Sequence, residues 1–141
     1  MLATLSSDGS PAASYAPLLW SGANCYLFLS QLAEHTQNLK RCPSIGLVLA
    51  EPENKAAAAF ARKRITLQGE AAPVPRQTAE FEAVLAGFHQ RFGKVMSIIE
   101  PLPDFQLFRV SPSEGRFVRG FGQAYALSGE FLDELTHIGA P

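Results

Sequence analysis

Two stretches of sequence decide the fold: SIGLVLA at residues 44–50 and RKRITLQGEAAPV at residues 62–74. The first is a short and almost continuously apolar run, which is typical of a buried strand. The second alternates, because Ile65 and Leu67 fall on one face and polar residues such as Arg64 fall on the other. This alternation predicts a half-exposed antiparallel strand.

More strand signals lie on both sides of this pair, separated by turn residues such as the Ser-Asp-Gly-Ser at residues 7–10. The further strands that we predict cover residues 2–6, 11–20, 25–30, 105–110 and 116–121. A hairpin loop is expected at residues 111–115, where the sequence reads SPSEG.

Helical periodicity is confined to short segments. We predict helices at residues 33–42 and 95–99, a longer one that begins with Thr78 as N-cap and breaks at Gly93, and a closing helix at residues 128–137. An alanine-rich segment at residues 54–60 is expected to be a short helix or an ordered loop.

Six or seven short strands with two or three helices predict an α+β fold, mainly β, built on an antiparallel sheet or a small barrel. The length of 141 residues suits one domain over residues 1–141. Either end of the sequence is compatible with truncation of a longer chain. No strand ends in a glycine-rich turn that leads into a helix, which argues against a parallel dinucleotide-binding sheet.

Composition excludes several classes of protein. A hydrophobic content of 47% is too high for a disordered chain, and a net charge of −1 argues against a general nucleic-acid binder. No apolar run is long enough to span a membrane, and no signal peptide is evident. Cys25 and Cys42 lack metal-binding spacing, so we expect structural free thiols and a cytoplasmic location.

Two polar groups are candidates for ligand binding. His35, Thr36 and Asn38 lie at the start of the predicted helix 33–42, where free backbone N–H groups attract anions. The basic triplet at residues 62–64 enters a strand and places Arg64 where it would clamp a phosphate or carboxylate. In each case ordinary surface polarity is the competing interpretation, as it is for the polar His89.

Several motifs together resemble a known family. The opening of the chain resembles the pyridoxamine-phosphate-oxidase-like split barrels, and within that superfamily the whole chain resembles the HugZ/HutZ haem-utilisation proteins. The motifs are LATLSSDG at residues 2–9, ASYAP at 13–17, LAEHTQNL at 32–39, FARKR at 60–64, LPDF at 102–105 and GRFVRGFGQAY at 115–125. The resemblance implies a homodimer of antiparallel split β-barrels with short flanking helices and with ligand sites at the subunit interface.

The resemblance also implies roles for particular residues. Relatives that bind FMN hold its phosphate with basic residues whose positions correspond here to Ala13, Leu18, Glu34 and His35, so that only Arg64 keeps a strong anion partner.

In the haem-utilisation branch, the positions of His35, Arg64 and Asp104 lie near the haem. The acidic residue there orients an iron-ligating histidine in a C-terminal tail. The sequence ends at Pro141 without such a motif, and His137 is the candidate substitute.

The resemblance therefore implies three candidate functions. The first is a haem-binding protein that opens haem oxidatively and releases iron, with Arg64 and Asp104 as catalytic residues and His35, Thr36 and Asn38 also binding the ligand. The second is an FMN-dependent oxidoreductase on the same fold. The third is a haem carrier without chemistry, and none of the three involves nucleic acid or a membrane.

Overall fold

The computed structural model describes residues 1–139, and within them nine strands form one antiparallel sheet. The strands are β1 (Leu2–Leu5), β2 (Pro11–Ser14), β3 (Leu18–Ser21), β4 (Asn24–Ser30), β5 (Ser44–Ala50), β6 (Arg64–Val74), β7 (Phe105–Gly120), β8 (Gln123–Ser128) and β9 (Glu134–His137). The helices are α1 (Glu34–Arg41), α2 (Ala79–Phe92) and α3 (Lys94–Ile99).

The sheet has the arrangement of a split barrel, in which the two edge strands of the described sheet are linked but not paired with each other. Its strands follow the order β2-β1-β5-β6-β7-β4-β3, and β8 and β9 continue from β7 as a separate flap. The two ends of the order, β2 and β3, are consecutive in sequence and joined only by residues 15–17. This short link keeps one end of the sheet's first strand near its last strand, so the sheet must curve around the core. The predicted mainly β, α+β class is confirmed.

Alternate residues of β4 face two different cores, one inside the barrel and one on its outer face. Cys25, Leu27 and Leu29 lie in the barrel core, whereas Tyr26 and Phe28 lie in a second core on the outer face. That outer face is covered by α2, which begins with Thr78 accepting a hydrogen bond from the backbone N–H of Phe81. Burial on both faces is the reason why β4 has no polar alternation.

One strand replaces the predicted hairpin at residues 105–121. β7 runs unbroken over 16 residues, because it pairs with β6 through nearly its whole length. Ser113 is the extra residue of a β-bulge opposite the step from Gln68 to Gly69, and Pro112 lies next to it. A bulge tolerates proline within a strand, so the turn-like residues bend β7 without ending it.

Three other expectations were wrong. The extended run 11–20 is divided into β2 and β3 by the bend at residues 15–17, where Pro17 lacks an N–H. Residues 128–137, predicted as a helix, instead form a turn and strand β9, which pairs with the free edge of β8. β8 itself was missed. With these changes the strand count is nine, where six or seven were expected.

The remaining predictions concern the helices and the extent of the domain. Helices α1, α2 and α3 follow the predicted positions, including the break at Gly93, which has a φ of 67°. Residues 54–60 contain parts of two 3₁₀ turns, Glu53–Lys55 and Ala59–Ala61. The proposed domain of residues 1–141 includes Ala140 and Pro141, which lie outside the described residues.

Candidate functional site

A groove of about 860 Å³ opens where the β2–β3 link meets the end of β5 and the 51–63 loop. Its walls are mostly aromatic and aliphatic, and three arginines contribute the positive charge. The principal apolar residues of the wall are Tyr15, Leu18, Trp20, Val48, Phe60 and Phe92. Phe60 and Tyr15 are mostly exposed in the single chain, at 89% and 73%, so the groove presents unusually large aromatic surface to solvent.

The three arginines of the groove differ in how fully their donors are used. Arg62 donates from Nε and Nη2 to the carbonyl of Glu51, over 3.1 and 2.6 Å, and its Nη1 lies 3.7 Å from a Glu53 carboxylate oxygen. Arg64 donates from Nη1 to the carbonyl of Arg62 over 3.2 Å. Arg62 therefore closes the neck of the 51–63 loop, whereas Arg64 and Arg91 retain more donors for an anion.

His35 occupies the first turn of α1 and is half-buried. Its Nδ1 lies 3.0 Å from the hydroxyl oxygen of Ser14 on β2. Burial lowers the pKa of the imidazole, and the neighbouring carboxylate of Glu34 opposes this effect only partly. A lowered pKa keeps His35 neutral at pH 7, so it can exchange hydrogen bonds but offers an anion no charge.

Thr36 and Asn38 are fully buried, and their polar atoms bind within the chain. The hydroxyl of Thr36 donates to the carbonyl of Ser30 over 2.7 Å. The amide of Asn38 donates to the hydroxyl of Thr4 over 2.9 Å and its oxygen accepts from Arg41. These contacts fasten α1 to the barrel, and they place both side chains beneath the surface on which His35 lies.

Asp104 lies in the turn between α3 and β7. Its Oδ2 accepts a hydrogen bond from the hydroxyl of Ser30 over 2.7 Å, and its carbonyl accepts from the backbone N–H of Gln31 over 2.7 Å. Ser30 therefore lies between Asp104 and Thr36, and connects the turn to the beginning of α1. Ser30 was not predicted as a site residue, because a serine at a strand end is commonplace and gives no local signal.

The two groups of predicted residues are not brought into one cavity by a single chain. Arg64 lines the groove, whereas neither His35 nor Asp104 does. His137 is exposed on β9, with its ring edge-on to Tyr125 at 5.3 Å between centroids. Within residues 1–139 no cluster of three or more acidic, histidine or cysteine side chains has metal-binding geometry.

Outside these groups, one expectation was confirmed and one was wrong. Cys25 is buried in the barrel core, where burial raises the pKa of its thiol to about 11, so it is an inert structural cysteine as expected. His89, expected to be solvated, instead bonds through Nε2 to the carboxylate of Glu100 and ties α2 to the end of α3. Across the described part of the chain, no helix is long and apolar enough to cross a membrane.

Comparison with known proteins agrees with this fold. The family model described as pyridoxamine 5'-phosphate oxidase matches residues 1–119. The heme oxygenase HutZ of Vibrio cholerae is 38% identical over 137 residues, which cover 97% of this chain and 78% of that protein.

Two solved structures are similar over most of the chain. The crystal structure of Vibrio cholerae HutZ, described as a heme storage protein, superposes with a TM-score of 0.75 at 35% identity and covers 79% of this chain and 78% of that one. Campylobacter jejuni ChuZ superposes with a TM-score of 0.88 at 34% identity and covers 98% of this chain but only 56% of that one. The chain belongs to the pyridoxamine 5'-phosphate oxidase family and, within it, to the group that includes HutZ.

Proposed function

We propose that this chain binds haem in the groove beside Arg64 and serves in haem utilisation. The lining of the groove is the observation that carries this proposal: broad apolar walls with cations confined to a few positions. Haem is a flat, largely apolar ring with two carboxylates, and its chemistry matches such a lining. The 38% identity to a heme oxygenase over 97% of the chain supports the same ligand.

The arginines and aromatic residues of the groove suit different parts of haem. Tyr15, Trp20 and Phe60 offer planar surface to the ring, and Arg64 and Arg91 offer charge-assisted hydrogen bonds to the propionates. Neither the three histidines nor the two cysteines line the groove, so in the single chain as it stands none of these side chains is placed to bind the iron. His137 remains a candidate for that role only if it moves toward the ring or acts from another copy.

FMN fits the same groove less well. Its phosphate needs several cations or N–H groups together. The positions at which flavin-binding relatives are expected to hold basic residues carry Ala13, Leu18, Glu34 and the neutral His35 here. Leu18 forms part of the apolar wall. Arg64 and Arg91 are then the groove's main partners for a phosphate, which is fewer than the cluster of cations that such a site uses.

His35 and Asp104 enter the proposal through a second copy of the chain. Because neither residue lines the groove, we propose that in a homodimer each reaches the ligand held by the partner's groove. The exposed aromatic surface at Tyr15, Trp20 and Phe60 supports burial against another copy. Thr36 and Asn38, which are buried and fully bonded, support the fold beneath this surface and contact no ligand in the proposal.

Oxidative opening of the haem ring is the reaction proposed, with the bound haem as substrate. Arg64 would hold the propionates and Asp104 would accept a hydrogen bond at the partner's site. Such a reaction needs dioxygen and an electron donor from outside the protein. The free thiols of Cys25 and Cys42 support a reducing, cytoplasmic setting for it.

The test is a haem titration of the purified protein, followed by its Soret absorbance, with two matched variants. Arg64→Met removes the propionate partner and is expected to weaken binding about tenfold or more, as loss of a charge-assisted hydrogen bond does. Lys63→Met is the control, because this adjacent lysine is exposed just before β6 and is not part of the groove lining. Equal affinities for Arg64→Met and the unsubstituted protein would contradict the placement of haem.

Two further measurements separate the finer parts of the proposal. Adding ascorbate as electron donor to the haem complex in air is expected to bleach the Soret band and release iron, whereas a stable complex would indicate a carrier. Light scattering of the free protein is expected to give twice the mass of one chain. A monomer at micromolar concentration would remove the basis for a site shared between two copies.

A further inference from the structure

We propose that Arg76 is a positioning residue, which holds the 100–105 turn in the one conformation that presents the Asp104 carboxylate beside Ser30. The inference rests on the proposed function, in which Asp104 acts at the haem site. It adds a residue that lies on a different element, the link between β6 and α2, and that neither lines the groove nor contacts the carboxylate directly.

The guanidinium of Arg76 binds three carbonyls of the turn. Nη1 and Nη2 each donate to the carbonyl of Glu100 over 3.1 Å, and Nη2, which shares its two hydrogens among three acceptors, also donates to the carbonyls of Leu102 and Phe105, over 2.9 and 3.0 Å. The carbon at the centre of the guanidinium also lies 5.3 Å from the ring centroid of Phe81, a buried residue of α2. Arg76 is thereby attached to a rigid part of the molecule while it binds the turn.

The 100–105 turn has few hydrogen bonds of its own. Pro101 and Pro103 have no N–H to donate. The amides of Leu102 and Phe105 donate to the carbonyls three residues earlier, over comparatively long distances of 3.2 and 3.3 Å. The turn's own backbone hydrogen bonds are long, and two of its residues have no N–H to donate. The contacts from Arg76 therefore contribute much of the hydrogen bonding that fixes the shape of the turn.

Only a planar guanidinium fits this task. The two terminal nitrogens of Arg76 make four hydrogen-bond contacts with three backbone carbonyls. Lysine has a single nitrogen with three donors in a tetrahedral arrangement, so Arg76→Lys keeps the charge but cannot reproduce the contacts. Arg76→Lys therefore separates the effect of the positive charge from that of the guanidinium's hydrogen bonds.

The shape of the turn decides where the Asp104 carboxylate lies. The carbonyl of Asp104 accepts a hydrogen bond from the N–H of Gln31, and its Oδ2 accepts one from the hydroxyl of Ser30. Within residues 1–139 the other carboxylate oxygen, Oδ1, has no hydrogen bond, so it is the atom available to a ligand or to the partner copy. Release of the turn would let this oxygen leave its position while the barrel core stays intact.

The first test needs no haem. Backbone amide exchange is measured by NMR for Arg76→Met, Arg76→Lys and, as a control, Arg119→Met, which removes an exposed arginine of β7. Both Arg76 variants are expected to speed exchange of the Gln31 and Phe105 amides at least tenfold. The amide of Leu67 in the barrel core should remain as protected as in the unsubstituted protein. Unchanged exchange at Gln31 would overturn the proposal whether or not the protein binds haem.

The second test links Arg76 to the site through a double-mutant cycle of haem affinity. Arg76→Lys and Asp104→Asn are each expected to weaken haem binding about fivefold or more, and the double variant should be no weaker than Asp104→Asn alone. If the affinity losses of the two single variants multiply in the double variant, Arg76 acts independently of Asp104 and the positioning role is overturned. A protein that fails to bind haem at all refutes the proposed function, while the exchange measurement still decides the role of Arg76 in the turn.

Discussion

The hydroxyl of Ser30 donates a hydrogen bond to Asp104 Oδ2 over 2.7 Å and accepts one from the backbone N–H of Leu32 over 3.1 Å. Because the N–H of Leu32 can only donate, the proton of Ser30 is directed to the carboxylate. The last residue of β4 therefore orients a side chain that follows it by 74 positions in the sequence. Long-range contacts of this kind assemble a site that no local motif describes.

Ser30→Ala is expected to lower the free energy of unfolding by about 1–2 kcal/mol, because it leaves Asp104 and the N–H of Leu32 without a partner in a half-buried place. Urea denaturation measures the change. Ser113→Ala is the control: its hydroxyl is exposed and makes only a 3.4 Å contact, so its effect should stay within about 0.5 kcal/mol. Coincident urea midpoints for Ser30→Ala and the unsubstituted protein would contradict the role given to Ser30.

His35 makes stability depend on pH. Burial lowers its pKa in the folded protein below the ordinary value of 6.5, so the unfolded chain binds a proton more readily between the two values. The contribution of His35 to stability is complete above pH 6.5 and is lost as the pH falls through the folded pKa.

Thermal unfolding at pH 8 and at pH 5 tests this dependence. The melting temperature of the unsubstituted protein should fall more between the two pH values than that of His35→Gln, which has no titrating group at this position. Comparing each protein with itself at pH 8 removes any effect of the substitution on packing. An equal or larger fall for His35→Gln would show that the imidazole is not buried in its neutral form.

Gly69 is expected to be intolerant of a side chain, because a Cβ there would lie 2.3 Å from the carbonyl oxygen of Ser111 across the bulge. This atom belongs to backbone and cannot swing aside, so Gly69→Ala should cost about 2–3 kcal/mol or more in unfolding free energy. Gly46→Ala is the matched control on β5, since its Cβ would lie 3.7 Å from that of Ala3, an ordinary contact. Similar unfolding free energies for the two variants would mean that the two strands do not approach as described.

Glu80 connects α2 to the outer face of the barrel. Its carboxylate accepts a hydrogen bond from the hydroxyl of Tyr26 over 2.9 Å and two from Arg109 over 3.0 Å. Glu80→Ala should cost about 1–2 kcal/mol, a value kept low because both charged side chains are partly exposed. Tyr26→Phe should cost about 1 kcal/mol. The double variant, measured in urea, should lose less than the sum, and strict additivity would argue against a shared network.

The sequence predicted the parts of the fold that have a local pattern. β5 and β6 were located from apolar runs and alternation, and α2 from its Thr78 cap and apolar stripe. The expected full burial of β5 was wrong, because Ile45 and Leu47 lie in the core whereas Val48 on the opposite face is exposed. β7 was divided in error because Pro112 and Gly115 are turn residues in most settings. Only the long pairing with β6, which is tertiary, makes them a bulged strand.

The candidate site was predictable in part and for a similar reason. Arg64 and His35 stand out by residue type, and the structure places them at a groove and at the start of α1. Thr36 and Asn38 stood out equally, yet their hydrogen bonds point inward. Which face of a short helix is buried depends on the strands beneath it, and no signal in residues 33–42 alone reveals that.

Haem binding in place of flavin binding is the central claim, and parallel titrations of the protein with haem and with FMN test it most directly. Soret absorbance reports haem, and quenching of flavin fluorescence reports FMN, over the same micromolar range of ligand and protein. We expect a saturable Soret change with haem, and fluorescence from added FMN that stays unquenched. Stoichiometric quenching of FMN together with an unsaturable Soret change would contradict the account.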